Sequence, residues 1–180
     1  LVDDLDTVRK LEDAGAAAIV MHSIFEEQIP REQVASFVHT ESHGQSFAEA
    51  LTYFPSPEAF HLGPDEYLEH LRKVKQAVSV PVIGSLNGYT TGGWLEYAKL
   101  IQDAGADALE LNVFSLGTNP QESGAQMELR TVRMVQAVRK AVRIPVAVKL
   151  SPYYTSLAHF AAKLDEAGAD GLVLFNRFYQ

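Results

Sequence analysis

Three six-residue stretches constrain the fold of this chain more than anything else in it. Leu11-Glu12-Asp13-Ala14-Gly15-Ala16, Ile101-Gln102-Asp103-Ala104-Gly105-Ala106 and Leu164-Asp165-Glu166-Ala167-Gly168-Ala169 are variants of one pattern. In each, a run with helical spacing stops at a glycine, the residue that most readily closes a helix, and an apolar segment follows within a few residues. Those segments are Ala16 to Met21, Ala108 to Val113 and Gly171 to Phe175. Two further apolar segments, beginning at Pro81 and Pro145, each open on a proline after a helical stretch. Gly105 and Gly168 lie 63 residues apart, and Pro81 and Pro145 lie 64 apart, so a unit of two helix–strand pairs repeats. Alternating helices and strands with short connections call for a parallel sheet. A repeat of two βα units at this length favours a (β/α)8 barrel over an open doubly wound sheet. Five strands are visible, so the barrel is incomplete within these residues.

The helices are expected at Asp4 to Ala14, from Gly63-Pro64-Asp65 through Val78, at Trp94 to Ala104, along the run Met127, Val132, Val135, Val138 and Val142, and at Ser156 to Ala167. The connection from Ile24 to Leu62 breaks the rhythm. It holds a polar helical stretch (Glu32 to His43) and the aromatic residues Phe47, Tyr53, Phe54 and Phe60, read as packing more than as a lid. His39 and His43 in H-T-E-S-H miss the zincin spacing, and Thr91-Gly92-Gly93 reads as the start of a helix, not as a phosphate loop.

A chain of 180 residues, 47% hydrophobic, can bury a sizeable core as one domain or part of one. Its net charge of -8 argues against nucleic acid or an anionic membrane as the main partner. Without cysteine it has no disulfide, thiolate ligand or cysteine nucleophile, which suits the cytosol. No apolar run reaches the roughly 18 to 20 residues of a membrane span. The absence of an initial methionine and the stop just after an apolar strand are read as a piece of something longer.

Function in such a barrel belongs at the C-terminal ends of the strands. Those ends read His22-Ser23, Ser85-Leu86-Asn87, Asn112-Val113-Phe114-Ser115, Lys149-Leu150-Ser151 and Asn176-Arg177. The set is rich in amides and poor in carboxylates, a poor cage for a divalent metal and unsuited to a two-carboxylate glycosidase. It fits a planar, hydrogen-bonding, anionic ligand. Lys149 is the one charge in the strand of Pro145 to Leu150, which reads as buried on both faces. Its ammonium needs either a carboxylate or an anionic ligand; the character of the other strand ends favours a ligand pocket.

E-L-N-V-F-S at Glu110 to Ser115, P-V-A-V-K-L-S-P at Pro145 to Pro152 and G-A-D-G-L-V-L-F-N at Gly168 to Asn176 resemble the dihydroorotate dehydrogenase family of flavin barrels, and more narrowly its bacterial dihydroorotate dehydrogenase-like members. The resemblance covers nearly the whole chain and is strongest from Pro81 onward. It implies a TIM barrel of the FMN-linked oxidoreductase type, with strands two to six present and the first strand and the phosphate-binding strands outside the sequence. It implies FMN as cofactor, contacted by Lys149, Asn112, Ser85 and Ser23, and Ser115 as the catalytic base. Substrate contacts are implied for His22, Asn87, Asn112 and Asn176. The implied reaction is oxidation of a CH–CH bond in dihydroorotate or a related small molecule, in a cytoplasmic enzyme of pyrimidine biosynthesis that forms a homodimer. The sequence departs from the family at Leu116-Gly117, where Pro-Asn is usual, and at His22, where a lysine is usual. Two other readings stand beside this one: a Schiff-base lyase using Lys149, and a barrel fragment without activity of its own.

Overall fold

The computed structural model describes residues 2–25, 64–88, 91–114 and 117–176. Helices α1 (Leu5–Asp13), α2 (Pro64–Ala77), α3 (Thr91–Asp103), α4 (Gly124–Ala141) and α5 (Leu157–Glu166) alternate with strands β1 (Ile19–Phe25), β2 (Val82–Asn87), β3 (Ala108–Asn112), β4 (Val146–Leu150) and β5 (Gly171–Leu174). The strands form one parallel sheet in the order β1-β2-β3-β4-β5. These are consecutive βα units of an incomplete (β/α)8 barrel, as the repeat predicts. The Glu32 to His43 stretch, His39, the aromatic segment, Ser115, Leu116 and Arg177 lie outside the described residues. Among the described residues no helix is long and apolar enough to cross a membrane.

The three repeated junctions share one geometry. Gly15, Gly105 and Gly168 have φ of 93°, 98° and 98°, a left-handed conformation that costs glycine little. In each junction the N–H of the following alanine reaches back to a carbonyl five residues earlier: Ala16 to Leu11, Ala106 to Ile101 and Ala169 to Leu164. This closes the last helical turn and turns the chain toward the sheet. Two junctions continue into an aspartate that locks the preceding strand. Asp107 Oδ2 accepts the Val82 N–H at 2.7 Å while the Asp107 N–H donates to the Val82 carbonyl. Asp170 does the same with Val146, its Oδ2 accepting at 2.8 Å. Lys75 pairs with Asp107 and Arg139 with Asp170, so the sequence repeat is also a repeat of a structural joint.

One face of the sheet carries the core. Val82, Leu86, Leu109, Leu111, Val146, Val148 and Leu150 are fully buried against Val8, Leu71, Val74, Ile101, Val135, Val138, Phe160 and Leu164. Full burial of each such side chain stabilises the fold by about 1.5–3 kcal/mol. With stability concentrated in this helix-covered layer, the opposite face can carry polar groups. Gly84 lets α3 approach that layer closely, since a Cβ there would clash with Ile101 Cγ2. The reading of β4 as buried on both faces needs correction. Val146, Val148 and Leu150 are fully buried, whereas Ala147 and Lys149 on the other face are only half-buried. Among the described residues the five strands run from edge to edge, with β1 not paired to β5, and do not enclose that inner face.

Candidate active site on the inner face of the sheet

Alternation and register decide which side chains meet on the inner face. Ser23 stands opposite Ser85, Ser85 opposite Glu110, and Glu110 opposite Ala147; one step nearer the strand ends, Asn112 stands opposite Lys149. Ser85 Oγ donates to Glu110 Oε1 at 2.8 Å. The Ser23 and Ser85 hydroxyls are 2.7 Å apart, and Asn112 Nδ2 donates to Ser23 Oγ at 3.0 Å. Asn176, just past β5, donates from Nδ2 to Asn112 Oδ1 at 2.6 Å and from its backbone N–H to the Leu150 carbonyl. Lys149 Nζ lies 3.6 Å from Glu110 Oε1. Ser85, Glu110, Asn112 and Asn176 are all buried. Five expected site residues (Ser23, Ser85, Asn112, Lys149 and Asn176) thus join one polar network spanning the sheet.

Glu110 is the member that inspection of the strand ends missed. It lies two residues before Asn112, so strand alternation alone places both on one face, and that signal was in the sequence. Its presence also changes the reading of Lys149: of the two ways to satisfy that ammonium, a carboxylate is the one seen within the chain.

A bulge in β1 determines which of its residues reaches the network. Val20 pairs with Ile83 and Ser23 with Ser85, so two residues of β1, Met21 and His22, oppose only Gly84. Without the extra residue, His22 would face inward and Ser23 outward. The bulge reverses this assignment. His22 stacks edge-on against Tyr67, with ring centroids 5.1 Å apart, and its buried Nδ1 lies 3.4 Å from Asp3 Oδ1. Burial lowers the His22 pKa, and the nearby Asp3 charge opposes that shift.

The bulge would orphan two backbone groups. Pro81, just before β2, accepts the Ile19 N–H while the next residue, Val82, turns its carbonyl to Asp107 before β3, so alternation aims the Ser85 N–H and carbonyl at β1. The Tyr67 hydroxyl takes both, accepting from the Ser85 N–H at 3.0 Å and donating to the Ser85 carbonyl at 3.2 Å. Tyr67 is fully buried, and that burial raises its pKa, so it remains a phenol able to donate.

Asn87 ends β2 two residues beyond Ser85, on the same face and paired in register with Phe25. The following Gly88 lies against Trp94, where a Cβ would come within 2.6 Å of the indole. Ser115 lies outside the described residues. Its neighbours on the chain, Val113 and Phe114, extend from the end of β3, and the Val113 N–H bonds the Lys149 carbonyl.

The sequence profile of the dihydroorotate dehydrogenase family matches residues 60–178. The catalytic subunit of dihydroorotate dehydrogenase B (NAD(+)) from Methanocaldococcus jannaschii is 32% identical, with 94% of this chain and 53% of that protein covered. The protein of the same name from Methanocella arvoryzae is 31% identical, again over 94% and 53%. The chain spans about half the length of the curated relatives it matches. Among solved structures, dihydrodipicolinate synthase from Acinetobacter baumannii complexed with pyruvate aligns with a TM-score of 0.57 at 17% identity, covering 94% of this chain and 48% of that one. Phosphoenolpyruvate phosphomutase from Streptomyces platensis aligns at 0.56 and 17%, covering 94% and 56%. At such identities the likeness is one of fold.

Proposed function

The chain belongs to the dihydroorotate dehydrogenase family, and from that membership we propose that the whole protein is an FMN-dependent oxidoreductase acting on a CH–CH bond of dihydroorotate or a related small substrate. The observation that supports this most is the buried line of hydroxyls and amides on the inner face, with the half-buried Lys149 beside it. The pyrimidine edge of a flavin presents neighbouring carbonyls and N–H groups, and a set of amides and one ammonium, with the serine hydroxyls fixing the amides from behind, fits it. Lys149 and Asn112 would hold it directly, with Ser85 and Ser23 holding from behind them, and FMN would supply the two-electron acceptor.

Each residue then has a task. Lys149 brings positive charge to the ligand edge, in a site where partial burial strengthens electrostatics. Asn112 and Asn176, held to one another, orient the reacting molecules. Ser23 and Ser85 have their hydroxyls committed to neighbours and act by fixing Asn112 and Glu110. Ser115 is assigned removal of the substrate proton, and because a serine hydroxyl is a weak base it needs a neighbour or water to carry that proton onward. Asn87 is assigned to the substrate side. His22 is expected there too, and its position against Tyr67 and Asp3 makes it the weakest member of that set. A Schiff-base lyase fits less well, since amine nucleophiles are made by apolar or cationic surroundings and Lys149 stands beside a carboxylate. A cytoplasmic homodimer belongs to the same proposal.

Full-length protein purified without added cofactor should absorb near 450 nm, as bound flavin does. Anaerobic dihydroorotate should bleach that band. A yellow protein that dihydroorotate leaves unbleached would remove the pyrimidine substrate and keep the flavin, whereas a colourless protein that cannot be loaded with FMN would defeat the whole reading.

A further inference from the structure

The hydrogen bonds of the inner face can run in only one direction. A carboxylate offers no proton, so Ser85 must donate to Glu110 Oε1. A hydroxyl has one hydrogen, and that of Ser85 is then spent, so Ser23 must be the donor in the 2.7 Å contact between the two serines. Ser23 in turn has no hydrogen left for Asn112 and must accept one. Asn112 does present Nδ2 to it at 3.0 Å, which turns Asn112 Oδ1 toward Asn176, and Asn176 meets that oxygen with Nδ2 at 2.6 Å. From β3, across to β2 and β1 and back through β3 to the residue after β5, every donor points toward Glu110.

We infer that Glu110 is the positioning residue of this site, fixing through Ser85 and Ser23 which way the Asn112 and Asn176 amides face while holding Lys149 by its charge. An asparagine amide has nearly the same shape in its two orientations, and packing alone discriminates poorly between them. What selects one is the demand of an acceptor that cannot donate, transmitted along the chain of hydroxyls. The donor and acceptor pattern offered to any ligand at β3 and β5 is therefore set by a carboxylate 4% exposed, which need not touch that ligand. The same carboxylate is the counter-charge of Lys149. The positioning role of Glu110 does not depend on flavin being bound.

Glu110→Gln tests it, because glutamine has nearly the same size and can either accept from Ser85 or donate to it. Donation reverses the chain, so both asparagine amides turn over. The readout is the side-chain amide pairs in full-length protein labelled with 15N-asparagine. In the wild type, Asn112 and Asn176 should each give one pair. In Glu110→Gln both should move or split into two sets, with Asn119 in the α4 approach loop unchanged as a control. Ser85→Ala provides a second route if Glu110→Gln fails to fold. It cuts the relay while leaving Glu110 beside Lys149, and again both amide pairs should move. Amide pairs that hold their positions in either folded variant overturn the assignment.

If the protein loads flavin, the Lys149 arm can be read separately. Glu110→Gln should raise the flavin midpoint potential by removing a negative charge beside the lysine. An unchanged potential in Glu110→Gln overturns the charge half of the assignment. Failure to load flavin counts against the proposed function and leaves the amide test intact.

Discussion

Replacing Tyr67 by phenylalanine removes one oxygen and keeps the ring that packs against His22, so it isolates what the hydroxyl does for the β1 bulge. That oxygen satisfies the Ser85 N–H at 3.0 Å and the Ser85 carbonyl at 3.2 Å. Tyr67 and Ser85 are both fully buried, so water cannot take over either bond. Leaving a buried backbone group unsatisfied costs about 1–3 kcal/mol. Two such groups, less roughly 1–2 kcal/mol recovered by no longer burying a hydroxyl, give a net loss of about 1–4 kcal/mol. For a domain of this size that corresponds to a fall in Tm of roughly 2–15 °C. Urea unfolding followed by circular dichroism should show the midpoint falling with its slope unchanged. A loss under about 1 kcal/mol would refute the reasoning. It would mean that β1 straightens and supplies Ser85 with backbone partners of its own. Ser23 would then turn outward, and the 2.7 Å contact between the serines should disappear from a structure of the variant.

Three further outcomes follow from the same geometry. Gly84→Ala should destabilise the protein by about 1–3 kcal/mol in urea titration, because its Cβ meets Ile101 and forces overpacking. Gly168→Ala should cost more than Gly105→Ala: both force a side chain into the left-handed region, at roughly 1 kcal/mol, but only Gly168 also has a close neighbour, Arg139 Cγ at 3.0 Å. At Asp107, burial pushes the pKa up, but Lys75 and the Val82 N–H outweigh it and hold the carboxyl below its ordinary 3.8. A carboxyl with a depressed folded pKa stabilises the fold above its unfolded value and loses that contribution as pH falls through the folded one. The stability gap between wild type and Asp107→Asn should therefore be full near neutrality and close below pH 3.8; a gap constant with pH would exclude charge as its source.

By itself the sequence determined the architecture, because its signals are local. The A-G-A junctions specify left-handed helix ends, the prolines at 81 and 145 mark strand starts, and alternation fixes each strand's faces. It also brought together most members of the polar network on the inner face, since Ser85, Asn112, Lys149 and Asn176 fall at strand ends wherever a parallel barrel is formed. Glu110 was legible by the same alternation, two residues before Asn112. What only the tertiary structure decided is how these groups are connected. The exchange of His22 for Ser23 depends on a bulge stabilised by Tyr67, a residue more than forty positions further along the chain on α2. The pairing of Lys149 with Glu110 depends on the register of β3 against β4. Local propensity cannot encode either, because a one-residue shift in register sends every following side chain to the other face, and only the packed neighbours exclude that shift.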